Sequence, residues 1–390
     1  MSGLPPFVRT VLETLESSGH PAYLAGGPVR DIVMGKVPQD WDIATAAAPE
    51  VVQGLFAKTV PTGIRHGTVT VVMDGQCRMK GAGHVEVTTF RRDGAYADHR
   101  RPERVDFVTD LQEDLARRDF TMNAMALDLR GVLIDPFGGR IDIEAKRVRA
   151  VGDSAVRFEE DALRMLRAFR FSAQLGFEID AAVLEAVHAK HHLTANLSAE
   201  RVRDEVEKIL LSERPDVLAD VLACGLLAGY AAGGRVPLLY EMGRVANQKT
   251  ARWAAFACGG GELRAFRLDN KTLATAAAAA ELAPDLPLDI VELKRLLARH
   301  GLDAIRCAAE VAVLFGRAEA LQVLEGIVQS GACYSLDTLA VSGADLIAVG
   351  VPPGSGLGDV LGRLLEYVIA HPTANERGLL LGMVQDMRIS

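Results

Sequence analysis

The sequence predicts an α+β head followed by a long all-α body. Three observations carry this. Runs of β-branched residues alternate with helical spacings up to about residue 145, strand signals fade after about residue 150, and 390 residues at roughly 150 per domain make two to three units. The expected division is a mixed-sheet head over 1–145, a helical neck over 146–230, and a helical body and tail over 231–390.

In chain order, residues 7–18 place Val8, Val11, Leu12 and Leu15 at helical spacing. Pro21-Ala22-Tyr23-Leu24-Ala25 then runs into Gly26-Gly27, read as a strand entering a turn, and 29–34 suggests a short helix closed by Gly35. The β-branched runs 67–73 and 84–90 predict strands, joined across the polar, Gly-rich stretch 74–83. Another strand is expected over 125–134, before a turn at Pro136-Phe137-Gly138-Gly139. Beyond it, 158–171, 181–190, 199–211 and 216–227 carry helical periodicity, and the Ala-rich run 274–280 favours helix by propensity. Joints are expected at 229–234 and 259–261, and no internal repeat stands out.

Composition narrows the class. Hydrophobic residues at 49% and charged residues at 24% exclude wholesale disorder. No apolar run approaches the ~18–20 residues of a membrane helix. Pro5, Pro6, Glu13 and Glu16 interrupt the stretch that a signal peptide needs. The five cysteines lack a C-x-x-C pair, which argues against a zinc ribbon or a disulfide framework, so a cytoplasmic protein is expected. A net charge of −8 argues against coating nucleic acid by bulk charge. It leaves a local basic groove open, because counterion release depends on the cations at the contact.

Several residue groups carry chemistry. In the extended triplet Asp40-Trp41-Asp42, both carboxylates project from one side, where they can hold hard cations that also bind triphosphate oxygens. In isolation a solvated strand edge is the better description of the triplet. Glu86 alternates with Val85 and Val87, which puts a third carboxylate on a strand face. Gly26-Gly27 lets backbone N–H groups approach phosphate, with Arg30 a turn further on, though a glycine pair alone also fits a plain turn. Arg117-Arg118-Asp119-Phe120-Thr121-Met122-Asn123 packs cations, a carboxylate and an amide against an apolar continuation. On a helical wheel, Glu160, Asp161, Arg164 and Arg167 share a polar arc opposite Leu163, Met165, Leu166 and Phe169, with Arg170 at the edge. By itself that arc is better read as an ordinary wet helix face with salt bridges one turn apart.

Taken in order, Y-L-A-G-G-P-V-R-D, D-W-D-I-A-T, V-E-V-T-T-F-R, R-R-D-F-T-M-N-A-M-A and E-E-D-A-L-R-M-L-R-A-F-R-F closely resemble the tRNA nucleotidyltransferase and bacterial poly(A) polymerase family. This is class II of the CCA-adding enzymes, within the DNA polymerase β-like nucleotidyltransferase superfamily. The resemblance is specific over 23–177, weaker through Ser198-Ala199-Glu200-Arg201, and returns at Val341-Ser342-Gly343-Ala344-Asp345 and Val351-Pro352-Pro353-Gly354. Residues 230–335 carry no recognisable motif.

The resemblance implies a polymerase β-like head that adds C and A nucleotides to the tRNA acceptor end from CTP and ATP, without a template. It implies two magnesium ions on Asp40 and Asp42, with Glu86 completing the catalytic carboxylates. Gly27 and Arg30 would hold the triphosphate, while Arg118, Asp119 and Asn123 would contact ribose and phosphates. Asp161 and Arg164 would select the base, supported by Arg167 and Arg170. Pro28 stands where the family often has alanine, and it removes one N–H that could face phosphate. The stretch 93–102, with His99, resembles the flexible loop of complete CCA-adding members. The alternatives are poly(A) addition, CC-only or A-only addition, and a catalytically silent RNA-binding relative.

Overall fold

The computed structural model describes residues 4–73, 83–94, 105–231 and 235–389. Most of the expected loop over 93–102 with His99, the crossing over 74–82 with Cys77, and 232–234 of the expected joint lie outside the described residues. The chain divides into two compact units: Met1–Ile209 with Asp220–Ala228, and Leu210–Ala219 with Gly229–Ser390.

The first unit opens with α1 (Pro6–Ser17), whose Phe7, Val8, Val11, Leu12 and Leu15 are all buried, as the apolar spacing requires. The strands follow as β1 (Ala22–Ala25), β2 (Asp42–Thr45), β3 (Thr59–Gly63), β4 (Thr68–Val72), β5 (His84–Thr89), β6 (Arg91–Asp93), β7 (Val105–Phe107), β8 (Ala126–Leu127) and β9 (Leu133–Ile134). Seven of them form one mixed sheet in the order β3-β4-β5-β2-β1-β8-β9. Within it β2 runs antiparallel to β1 and parallel to β5. The helices set among these strands are α2 (Gly27–Val33), α3 (Pro49–Leu55), α4 (Leu111–Ala116) and α5 (Gly139–Glu144). Val69, Val71, Val85 and Val87 are fully buried on one face of β4 and β5, which pins the register, since a one-residue slip would turn them all outward.

Three expectations need correction. The strand expected over 125–134 is a hairpin, because Asp128 accepts from the N–H groups of Arg130 and Val132 and folds the chain back between β8 and β9. The strand signal does not end at 150. Arg147–Val148 (β10) pairs in parallel with Glu178–Ile179 (β11). The helix expected over 158–171 is two helices, α6 (Ser154–Glu160) and α7 (Leu163–Leu175). They break at Asp161, whose backbone is extended at φ −142°, ψ 104°. The unit continues through α8 (Ala181–Lys190), while α9 (Ala199–Leu210) and α10 (Val217–Ala223) run across the division.

The second unit is helical: α11 (Pro237–Tyr240), α12 (Lys249–Cys258), α13 (Asn270–Leu282), α14 (Ile290–Val311), α15 (Ala320–Gln329), α16 (Gly343–Ala348), α17 (Ser355–Ala370) and α18 (Arg377–Ile389). Trp253, Phe256 and Phe266 pack ring against ring in its core. Ser342 and Asp345 form a reciprocal capping box that starts α16, so the recurring Ser-Gly-Ala-Asp motif has a local structural duty. Among the described residues no helix is long and apolar enough to cross a membrane.

Candidate active site

The carboxylates meet where β2 and β5 run side by side. Asp42 is the first residue of β2, and the parallel register sets it directly opposite Glu86 on β5. Trp41 is buried while Asp40 is exposed just ahead of the strand, so the extended backbone keeps the two acids off the apolar face. Burial first, then Glu86 and Asp40, push the Asp42 carboxyl up to about 6, against the opposing pull of the Arg118 guanidinium. Such a half-buried carboxylate with acidic neighbours suits a divalent cation. Among the described residues no three His, Cys, Asp or Glu side chains gather into a cage. The oxygen donors of the paired Asp42 and Glu86 fit a Mg²⁺-like ion, which takes one or two carboxylates and completes its shell with water and substrate phosphate.

Opposite this edge, β1 turns at Gly26 into α2. Gly26 adopts φ +77°, a conformation strained for any residue with a side chain, and a Cβ there would stand 2.6 Å from Arg118 Nη1 and push that guanidinium aside. Pro28 lies in the first turn of α2, where its missing N–H interrupts no helical bond. Arg30 donates from Nη1 to Asn123 Oδ1 at 2.9 Å and from Nε and Nη2 to Asp31. Asn123 Nδ2 donates to Asp119 at 3.2 Å, and Arg167 donates to the other Asp119 oxygen at 2.7 Å. Burial pushes the Asp119 carboxyl up. Arg167 and Arg164, with the Asn123 and Phe120 N–H donors, outweigh that and hold it at about 2. Asp119 is thus an ionised hub that orients Arg167 and, through Asn123, Arg30.

The break between α6 and α7 corrects the wheel argument. Asp161 ends α6 and accepts from the Leu163 N–H at 3.1 Å and from Arg201 on α9 at 2.8 Å. Arg164 is not on a wet face. It is 8% exposed, donates to Glu160 at 2.8 Å and to the Arg117 carbonyl at 2.9 Å, and still borders the cleft. Arg170 lies 4.0 Å over the Phe171 ring, with Arg30 and Arg167 at 5.5 and 5.7 Å from the same ring. Arg170 Nε is 2.9 Å from the buried Glu205 carboxylate, an ion contact whose N–H is not aimed at the oxygen. Burial pushes the Arg170 guanidinium down to about 10 despite Glu205.

All of the expected site residues except Asp40 and Glu86 line one cleft of about 570 Å³. Seven arginines border it, at positions 30, 91, 117, 118, 164, 167 and 170, against Asp42, Asp119 and Asp161. An acidic chain therefore carries a basic cavity suited to a polyphosphate. Sequence reasoning missed Gly26 in favour of Gly27, and it missed Arg91, Arg117, Phe171 and Gln174 on the wall. Gly26 precedes the expected helix, and only its positive φ separates it from its neighbour. Arg117 and Phe171 stood inside quoted motifs without a signal of direction.

Known proteins resemble this chain over nearly its whole length. Residues 22–149 match the family model described as "Poly A polymerase head domain", 176–229 that described as "Probable RNA and SrmB- binding site of polymerase A", and 246–384 that described as "tRNA nucleotidyltransferase domain 2 putative". The last match spans most of the stretch in which no motif was recognisable. The chain is 36% identical to the CCA-adding enzyme of Levilactobacillus brevis over 97% of each chain. It is 39% identical to that of Geobacillus kaustophilus, over 96% of this chain and 95% of the relative. The crystal structure of the Bacillus stearothermophilus CCA-adding enzyme in complex with CTP matches with a TM-score of 0.83 at 33% identity, covering 99% of this chain and 98% of that one.

Proposed function

The chain belongs to the family of CCA-adding enzymes and is an RNA nucleotidyltransferase of tRNA 3′ ends; from that premise we propose how its cleft adds C, C and A from CTP and ATP. Asp40 and Asp42 would hold two divalent cations, with Glu86 beside them. The chemistry such ions would supply there is a lowered pKa for the tRNA 3′-hydroxyl and positive charge for the leaving pyrophosphate. The observation that carries the reading is the cleft itself, where Asp42 of the acidic strand edge, Asp161 and seven guanidiniums, that of Arg164 among them, share one cavity.

The chain's own residues bind and orient. Gly26 and Gly27 let the triphosphate approach the backbone, and Arg30, Arg117 and Arg118 neutralise it. Asp119 and Asn123 fix Arg30 and Arg167 before the nucleotide arrives, so little reorganisation remains at the moment of transfer. Asp161 accepts from the exocyclic amino group of cytosine or adenine while Arg164 donates to the neighbouring ring nitrogen. Arg167 and Arg170 hold that wall against Phe171. Uracil and guanine present a carbonyl beside an N–H, which leaves both protein groups facing like partners. The head over 1–145 carries out the chemistry, the neck over 146–230 reads the base, and the body over 231–390 binds tRNA in the cytoplasm.

The experiment is single-turnover incorporation by Asp40→Ala and Asp42→Ala alongside their tRNA affinity. Incorporation falls by several orders of magnitude and affinity stays within a few fold. Either variant retaining more than about a tenth of the wild-type rate overturns the assignment of that carboxylate.

A further inference from the structure

We propose that Asp114, outside the cleft, is the positioning residue for its triphosphate-facing wall. The proposal rests on the reading that Arg117 and Arg118 face the triphosphate. Asp114 lies in the last turn of α4 with its side chain 1% exposed. Its Oδ1 accepts from Arg117 Nε at 3.0 Å and Nη2 at 2.6 Å, and its Oδ2 accepts from Arg118 Nη2 at 3.1 Å. The backbone N–H of Arg91, a third cleft arginine, donates to Oδ1 at 3.3 Å. One buried carboxylate thus ties down two segments, one at Arg91 and one at Arg117 and Arg118, that bring three guanidiniums to the cavity, and it is not itself part of the lining.

The chemistry explains why a carboxylate stands here. Two adjacent guanidiniums repel each other and are long and rotamer-rich, so without an anchor each would turn toward solvent. A shared bidentate acceptor neutralises part of the repulsion and fixes both forks. Burial pushes the Asp114 carboxyl up, but Arg117 and Arg118 hold it below its ordinary range, so it stays ionised. Arg118 held in this way lies against Gly26 and reaches toward the Asn123 carbonyl at 3.4 Å. Its charge also opposes the upward push on the Asp42 carboxyl. Asp114 therefore sets where the phosphate-binding charge sits relative to the carboxylate edge.

The test measures equilibrium binding of inorganic tripolyphosphate and of CTP to the full chain, for wild type, Asp114→Asn, Asp114→Glu and Arg118→Ala. In Asp114→Asn the new amide N–H₂ opposes the Arg118 donors, and both ligands should bind at least about tenfold more weakly, by the same factor. Asp114→Glu keeps the charge, and with it the fold, but carries the carboxylate too far to serve both arginines. It should lose affinity several-fold, so the test survives if the Asn variant does not fold. The preference for CTP over UTP should not move in either, since the base-reading pair is untouched. Wild-type affinity in the folded Asp114 variants, with Arg118→Ala weakened, overturns the positioning role. A lowered melting temperature with unchanged constants overturns it too, because that marks a purely structural part. Wild-type tripolyphosphate affinity in Arg118→Ala overturns instead the reading on which the proposal rests.

Discussion

Replacing Asp42 by asparagine removes a charge that burial, Glu86 and Asp40 all penalise, and it should make the cation-free protein more stable while abolishing its chemistry. The carboxyl rises from its ordinary 3.8 to about 6. At about 1.4 kcal/mol per pKa unit this amounts to about 3 kcal/mol, an upper bound that solvent screening of a half-buried group reduces to about 1–2 kcal/mol. The sign follows from the raised value. Below about pH 4 the carboxyl is neutral in folded and unfolded chains alike, and the two proteins differ little. As pH rises through about 6, the wild type must ionise a group that the fold prefers neutral, and its stability falls relative to the variant. The assay is denaturant unfolding between pH 4 and 8 with a chelator present, followed by Trp41 fluorescence in a Trp253→Phe background that leaves one tryptophan in the head. Excess magnesium should then stabilise the wild type and not the variant. A variant no more stable than wild type at pH 8 in chelator refutes the claim that burial, Glu86 and Asp40 disfavour the ionised Asp42 carboxylate.

Further outcomes follow from the same geometry. Asp161→Ala with Arg164→Ala should keep incorporation but lose the preference for CTP and ATP over UTP and GTP. Unpaired groups cost about 1–3 kcal/mol each, so the four incorporation efficiencies should converge by a hundredfold or more. A preserved ratio means that this wall does not read the base. Gly26→Ala, with φ +77° and a Cβ 2.6 Å from Arg118 Nη1, should weaken CTP binding by about tenfold or more. Gly27→Ala, whose nearest contact is Arg30 Nη2 at 3.8 Å and whose φ is not positive, should leave the melting temperature at wild type, so any loss of CTP affinity there reports the approach of the triphosphate to the backbone alone. Asp119→Asn should destabilise the fold at neutral pH. The wild-type advantage should be lost as pH falls from about 4 through about 2, since the folded-state value is depressed, and unfolding curves across that range check it.

The strands at 67–73 and 84–90 were legible because Val69, Val71, Val85 and Val87 alternate toward one buried face. The same alternation put Glu86 outward, but only the parallel register of β2 with β5 joined it to Asp42. Long-range pairing of that kind leaves no periodic trace in either segment. The break at Asp161 was invisible to the wheel because Glu160 to Phe171 keeps its apolar spacing through it. An aspartate that accepts from the N–H two residues on is a turn former as well as a helix residue. Arg164 read as wet because a guanidinium is polar. Its burial depends on Glu160 and a carbonyl 47 positions away, and a wheel carries no such partner. Residues 230–335 showed no recognisable motif, and the rings that pack their core, Trp253, Phe256 and Phe266, fill a role that many apolar combinations satisfy.

The most direct measurement is the sequence of the 3′ ends that the wild-type enzyme makes on a tRNA lacking CCA, with CTP and ATP supplied together. One cavity that reads the shared edge of cytosine and adenine, on a protein that binds the acceptor end, should give C, C and A and then stop. Ends that halt after the second C, or that run on into long tracts of A, would contradict the account.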